Sequence, residues 1–254
     1  MKILIVRHAE PNYVIDGLTD KGKREAELLS RRLCRLDVRD FFVSPLGRAQ
    51  QTAAYTLEKM NRTAETLPWL HEFRGHCFDE EAGRVRICWD FKPHQVHCHP
   101  MLLDMDAWPN DPLLSRDSNI PQIWQETVEG INSLLLRYGY SRDGAIYRCD
   151  RNTDDTLVFF CHFGIGSCLL GYLCNIPPML LLQGTCMQPS SVTTIVTEER
   201  VKGEVAFRCT QLGDISHLWA ADEKPSTAGL FPECYTGIDS TNPPEWAING
   251  CQHA

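Results

Sequence analysis

The chain has 254 residues, enough for one large domain or two small ones with a substantial core. Its composition, 43% hydrophobic and 23% charged, is that of an ordinary globular protein, and the formal charge of −8 argues against a nucleic-acid partner, which needs clustered basic surface. No apolar stretch approaches the roughly 20 residues of a membrane span, and the N-terminal apolar run is too short for a secretory signal. The expectation is a cytoplasmic protein without a membrane partner. Its 12 cysteines include no CxxC pair, so reduced thiols in apolar surroundings are expected rather than a disulfide framework.

In chain order, Ile3 to Val6 reads as a short strand buried on both faces, ending at Arg7 and His8. Thr19 suits a helix N-cap, and Ala26, Leu29, Leu33 and Leu36 recur at helical spacing, predicting a helix of roughly 16 residues. Asp40 to Val43 is a second strand. After it, Ser44 is expected to cap a helix with Pro45 in its first turn, carrying Arg48 and running to about Met60. Ala64 to Leu67 is a weaker third strand. Periodicity dissolves from Arg74 to about Pro121 and resumes as a helix from Ile120 to Tyr140, with a polar turn over 143–155. Thr156 to Cys161 is a buried strand, followed by His162-Phe-Gly-Ile-Gly and an apolar helix to about Cys174. Ser191 to Thr197 and Glu204 to Leu212 form a hairpin through Lys202-Gly203, and the chain beyond Ala220 reads as an extended tail.

Strands alternating with helices predict a three-layer α/β/α fold with a mostly parallel central sheet, in which ligands bind beyond the carboxyl ends of the strands. Arg7 and His8, Arg48, Glu72 and His162 all fall at such ends. Two arginines and two histidines suit a compact dianion. Guanidinium forks match phosphate oxygens without titrating, and a neutral imidazole is a nucleophile toward phosphorus. Backbone N–H groups at the starts of the two following helices are expected to add to the phosphate site.

These segments are similar to the signature of the histidine phosphatase superfamily, which includes the phosphoglycerate mutases. The likeness runs in order through Leu4-Ile5-Val6-Arg7-His8-Ala9-Glu10, Leu18 to Gly22, Ser44 to Ala53, Leu70-His71-Glu72-Phe73 and Cys161-His162-Phe163-Gly164, with Gly213 to Leu218 resembling the family's ending. The resemblance implies that His8 becomes a phosphohistidine, that Arg7, Arg48 and His162 hold the phosphoryl oxygens, and that Glu72 is the acid and base. It also implies phosphomonoester hydrolysis with no cofactor and no metal. Asn12 and Phe163 are further candidate substrate-binding residues. The family often has glycine where Ala9 stands and asparagine where Val14 stands, and Asn12 is the candidate substitute. Phe73-Arg74-Gly75-His76-Cys77 lacks the basic and aromatic stretch of the mutases, which weighs against mutase activity.

The expected organisation is a domain over 1–220, with a cap and substrate insertion at about 74–121, and a C-terminal extension over 221–254. A small-molecule phosphate ester is the expected partner, and monomer and homodimer both stay open. Three rivals stand beside this reading. One is mutase-type phosphotransfer. Another is a phosphate-binding protein without turnover. The third is a zinc site built from His94, His97, Cys98 and His99 with His71, His76, Cys77 and Cys88, although their spacing fits no standard zinc knuckle.

Overall fold

The computed structural model describes residues 1–116 and 118–229. Its elements in chain order begin with β1 (Lys2–Arg7), β2 (Pro11–Asn12), β3 (Gly17–Leu18), α1 (Asp20–Leu33), β4 (Asp40–Val43), α2 (Gly47–Met60) and β5 (Glu65–Thr66). The insertion contributes β6 (His76–Asp79), β7 (Arg84–Ile87), α3 (Pro93–His97) and α4 (Pro112–Ser115). Then follow α5 (Ile120–Leu136), β8 (Tyr140–Asp143), β9 (Ile146–Cys149), β10 (Thr156–Cys161), α6 (Phe163–Cys174), α7 (Pro178–Gly184), β11 (Val192–Val201), β12 (Glu204–Asp214) and α8 (Ser216–Trp219).

Eight strands form one mixed sheet in the order β5-β4-β10-β1-β11-β12-β9-β8. The first four are parallel to one another, and the rest add antiparallel. β10 lies at the centre with all six of its residues buried, as the run Thr-Leu-Val-Phe-Phe-Cys requires of a strand covered on both faces. One face packs Leu4, Val6, Phe41, Val43 and Phe160 against Leu29 and Leu33 of α1 and Ala49 and Ala53 of α2. The other packs Ile3, Ile5, Phe42 and Phe159 against α5 and α6 through Ile131, Leu135, Ile165 and Leu169. This is the expected three-layer arrangement, with the parallel character confined to the half that carries the strand ends of interest.

Three local expectations are corrected. Pro45 lies outside α2, whose N-cap is Leu46, and Ser44 is turned inward instead of capping the helix. The helix expected to reach Tyr140 stops at Leu136, and 140–149 is the hairpin β8–β9 around Gly144, which has φ +58°. The insertion holds a second hairpin, β6–β7, turning at Gly83. Its Asp79 is buried against Arg86, which also bonds Asp90 at 2.9 Å, so a charged pair fills a position where sequence periodicity looks for an apolar side chain. The tail from 223 to 229 has no regular element, and the extension beyond it lies outside the described residues.

All ten cysteines among the described residues are free thiols. No helix among them is long and apolar enough to cross a membrane.

Glu25 of α1 is fully buried beside the strand end, with Oε2 accepting from the Glu10 N–H at 2.8 Å. Burial, then the neighbouring Glu10 charge, raises its pKa from 4.5 to about 7. The folded state therefore holds a proton that the unfolded state releases. Stability from this group is full below pH 4.5 and is lost as pH rises through about 7. Denaturant unfolding of wild type and Glu25→Gln between pH 4 and 8 should show wild type losing up to about 3 kcal/mol relative to the variant as pH rises. Parallel curves would show that folding leaves the Glu25 pKa unshifted.

Candidate active site

β1 and β10 run in register, Arg7 beside Cys161, so His8 and His162 leave the sheet next to each other. The backbone clamps the turn: Arg7 N–H donates to Ser191 O, His8 N–H to Cys161 O, and Ser190 N–H to His8 O, at 3.1, 2.9 and 3.0 Å. Both imidazoles are buried, with ring centroids 5.1 Å apart. Burial pushes both pKa values well below 6.5, and the charges of Arg48 and Arg7 push them further. Both rings are therefore neutral at neutral pH.

Their partners assign the protons. His8 Nδ1 lies 2.8 Å from Ala9 O, a pure acceptor, so Nδ1 carries the hydrogen and Nε2 has a free lone pair. The Ser44 hydroxyl accepts from Leu46 N–H at 3.3 Å and lies 2.7 Å from His162 Nε2. Its own hydrogen is available to donate to Nε2, and in that arrangement the His162 proton sits on Nδ1. That buried Nδ1 has no partner among the described residues. The same tautomer thus presents a nucleophile at His8 and a hydrogen-bond donor at His162.

The arginines are held from the side. Arg7 Nη1 donates to Met187 O at 2.5 Å, and its guanidinium carbon lies 5.7 Å from the Phe163 ring centroid. Arg48 is on the second residue of α2, and its charge reaches both histidines. Glu72, following the turn Pro68–Leu70, accepts through Oε1 from Phe73 N–H at 2.8 Å and from Ile165 N–H, in the first turn of α6, at 3.2 Å. Beneath it lie the buried thiols of Cys88, Cys161 and Cys168, whose pKa values rise through burial and through the Glu72 charge.

Gly164 is the close-approach point. A Cβ there would stand 2.5 Å from the Trp89 ring and 2.7 Å from Glu72 Oε1. Trp89 meets Phe163 edge-on at 5.7 Å, and is the aromatic by which the insertion reaches the site. Trp108 and Phe91, in the same insertion, join the buried core.

The sequence-derived set Arg7, His8, Arg48, Glu72, His162 and Phe163 is thus assembled around one strand-end cleft. Asn12 is only partly so, because its Oδ1 accepts from Val14 N–H at 3.1 Å within its own loop. The helix N–H groups expected to meet phosphate include two already committed, Ile165 N–H to Glu72 and Gly47 N–H to Asp16. The alternative acids are engaged elsewhere. Glu10 accepts from Thr19 and Ser226, Glu80 pairs with Arg116, and Glu81 pairs with Lys92 and His94. The histidines of the zinc rival are dispersed: His94 goes to Glu81, His99 to Asp111, and His76 to Arg74 O, while His71 is near enough to act on His162. No group of three or more potential metal ligands occurs among the described residues.

Sequence reasoning gives Ser44 only a capping role, Asp16 none, and the tail no place at the site. The tail crosses from α1 to the site. Lys21 Nζ donates to Lys224 O at 2.6 Å, the Ser226 hydroxyl donates to Glu10 Oε2 at 2.6 Å, and a Cβ on Gly229 would lie 2.6 Å from Arg7 Nη2.

The mixed sheet between its helical layers is a phosphoglycerate mutase-like α/β fold. The sequence profile described as histidine phosphatase superfamily (branch 1) matches residues 3–85. A 2,3-bisphosphoglycerate-dependent phosphoglycerate mutase of Thermoplasma acidophilum is 32% identical over 77 residues, covering 26% of this chain and 38% of the mutase. The aligned part of the chain thus spans little more than a third of that relative. Among solved structures, a phosphoserine phosphatase of Entamoeba histolytica in complex with phosphoserine superposes with a TM-score of 0.55 at 16% identity, over 85% of this chain and 98% of the other. A mycobacterial glucosyl-3-phosphoglycerate phosphatase gives 0.56 at 16%, over 84% and 98%, and the α-ribazole phosphatase of Shigella flexneri gives 0.52 at 18%, over 85% and 97%. At these identities the structural likeness carries the fold. The likeness to the histidine phosphatase superfamily in sequence is carried by residues 3–85, which include Arg7, His8, Arg48 and Glu72.

The tautomer assignment is directly measurable. Nitrogen-15 NMR of the imidazoles should place both protons on Nδ1 and keep both rings neutral on acidification to well below pH 6.5. In Ser44→Ala the His162 signal should shift toward a mixture of tautomers while that of His8 stays fixed. An Nε2–H form of His162 in wild type would refute the Ser44 assignment.

Proposed function

We propose that the protein is a phosphatase that hydrolyses a small organic phosphomonoester through a phosphohistidine on His8. The observation that carries this reading is the pair of buried imidazoles with ring centroids 5.1 Å apart, His8 directing Nδ1 to Ala9 O and His162 directing Nε2 to Ser44, both within reach of the Arg7 and Arg48 charges. Mere retention of a phosphate dianion needs the cations and donors, but not an unprotonated nucleophile held beside them.

In the first half-reaction, the Nε2 lone pair of His8 attacks phosphorus, an N–P bond forms, and the ester P–O bond breaks. Glu72 supplies the proton that the leaving alkoxide takes up. In the second, Glu72 removes a proton from water as its oxygen attacks phosphorus. The N–P bond breaks, and its electrons return to Nε2. Arg7, Arg48 and the Nδ1–H of His162 hold the equatorial oxygens, where charge spreads in the transition state. The site comes from the 1–220 domain, and Trp89 of the 74–121 insertion forms, with Phe163, an aromatic wall for the leaving group. The solved relatives named as phosphatases of phosphoserine, glucosyl-3-phosphoglycerate and α-ribazole support a phosphatase of small organic esters.

A second reading, mutase-type return of the phosphoryl group to a second hydroxyl, is favoured by the mutase relative. A panel of phosphomonoesters read by free phosphate separates the two. Hydrolysis across the panel supports the phosphatase, whereas transfer to phosphoglycerate with little free phosphate supports the mutase. Rapid-quench trapping with a radiolabelled ester should give an acid-labile, base-stable label that vanishes in His8→Ala. An unlabelled wild type would exclude the covalent route. Glu72→Gln should slow hydrolysis of an alkyl phosphate by about 10²–10⁴-fold, and that of p-nitrophenyl phosphate much less. Equal effects on both would remove Glu72 as the acid.

A further inference from the structure

The loop between β2 and β3 is built against the start of α2. Leu18 N–H donates to Gln51 Oε1 at 2.9 Å. Asp16 adopts φ +46°, a left-handed conformation that aspartate and asparagine tolerate better than most residues. Its two carboxylate oxygens divide their work. Oδ1 accepts from Arg48 Nη1 at 2.5 Å, and Oδ2 accepts from Gly47 N–H at 2.6 Å. Glycine at 47 is what permits this approach, since a Cβ there would collide with the Asp16 carbonyl oxygen. The Tyr13 ring lies on the same guanidinium, 5.4 Å from its carbon. Arg48 is mostly buried, with 12% of its side chain exposed, whereas Asp16 is at the rim with 42%.

We propose that Asp16, with Tyr13 stacked beside it, is a positioning residue that fixes the Arg48 guanidinium toward the phosphoryl site, and this rests on the reading of that site given above. An arginine has several rotatable bonds and is usable in the transition state only when its donors are already placed. The carboxylate removes that freedom by linking the side chain to the backbone of its own helix. The arrangement sets a negative charge behind a cation that must bind a dianion, which costs affinity. Its return is orientation.

The test is a cycle of Asp16→Ala, Asp16→Asn, Arg48→Ala and the Asp16→Ala/Arg48→Ala double variant. It is read by orthovanadate affinity from calorimetry and by kcat and KM on p-nitrophenyl phosphate. Asp16→Ala should weaken vanadate and lower kcat, each by about tenfold, through misplacement of one donor. Asp16→Asn should fall between, because one carbonyl oxygen can serve Arg48 or Gly47 but not both. In the Arg48→Ala background, Asp16→Ala should change neither quantity by more than about twofold. An equal loss with and without Arg48, or vanadate binding unchanged in Asp16→Ala, overturns the proposal, and melting temperatures separate it from simple destabilisation. Wild type that binds vanadate but forms no phosphohistidine would refute turnover while leaving the Asp16–Arg48 cycle readable by affinity. Wild type that does not bind vanadate overturns both.

Discussion

Everything at the strand ends depends on placing two guanidinium groups beside two imidazoles inside protein. Arginine does not give up its proton, so the imidazoles must stay neutral. Burial and the Arg48 and Arg7 charges both lower their pKa values. Positive charge is thereby concentrated on the groups best shaped for phosphate oxygens, and the imidazoles are left to act as lone pair and as N–H donor. A protonated His8 would be useless as a nucleophile, and two more cations would make the buried site harder to fold.

The neutral pair needs an orienting network, and the fold supplies it from backbone. β1 is hydrogen-bonded on one side by β10 and on the other by β11, so the Arg7-His8 dipeptide cannot shift along the sheet without breaking both ladders. Ala9 O fixes one ring and Ser44 fixes the other. Ser44 is itself fixed, because its N–H donates to Phe160 O at 2.9 Å at the end of β4. Each orienting atom is thus within a residue or two of a buried parallel strand, the most rigid part of such a fold.

That geometry explains what was legible in the sequence. Buried parallel strands are short apolar runs with few exceptions, so β1, β4 and β10 and the polar residues at their tips could be read directly, as could α6 from an apolar run ending in Asn175. Ser44 was misread because a serine before proline looks like a helix cap locally, and only the sheet reveals that His162, 118 residues away, is its partner. Asp16 carried no signal, since a single aspartate in a loop could be any turn residue, and its partner becomes evident only when α2 docks. The β6–β7 hairpin hid behind a buried Asp79–Arg86 pair that interrupts apolar alternation. The five insertion histidines looked alike in sequence, but of these only His71 is placed to act on the His162 charge, because it follows the same turn that delivers Glu72.

The acidic residues around the cleft show why a chain of net charge −8 can hold a site for anions. Glu10, two residues beyond the nucleophile, is turned to Thr19 and to Ser226 of the tail. Glu25 lies fully buried beside it, with a raised pKa that reduces its negative charge. Glu223 pairs with Lys21 and Arg24 on α1. Glu72 and Asp16 each spend an oxygen on helix N–H groups, and Asp16 also engages the far side of a guanidinium. Local potential is set by which charges have near neighbours of opposite sign: Glu223 and Asp16 face basic side chains, whereas Glu10 and Glu72 are met by neutral O–H and N–H donors. Arg7 differs from these: its guanidinium meets the Met187 carbonyl and the Phe163 ring, and a Cβ on Gly229 would crowd its Nη2. The tail that brings Gly229 there is held through Glu10 and α1.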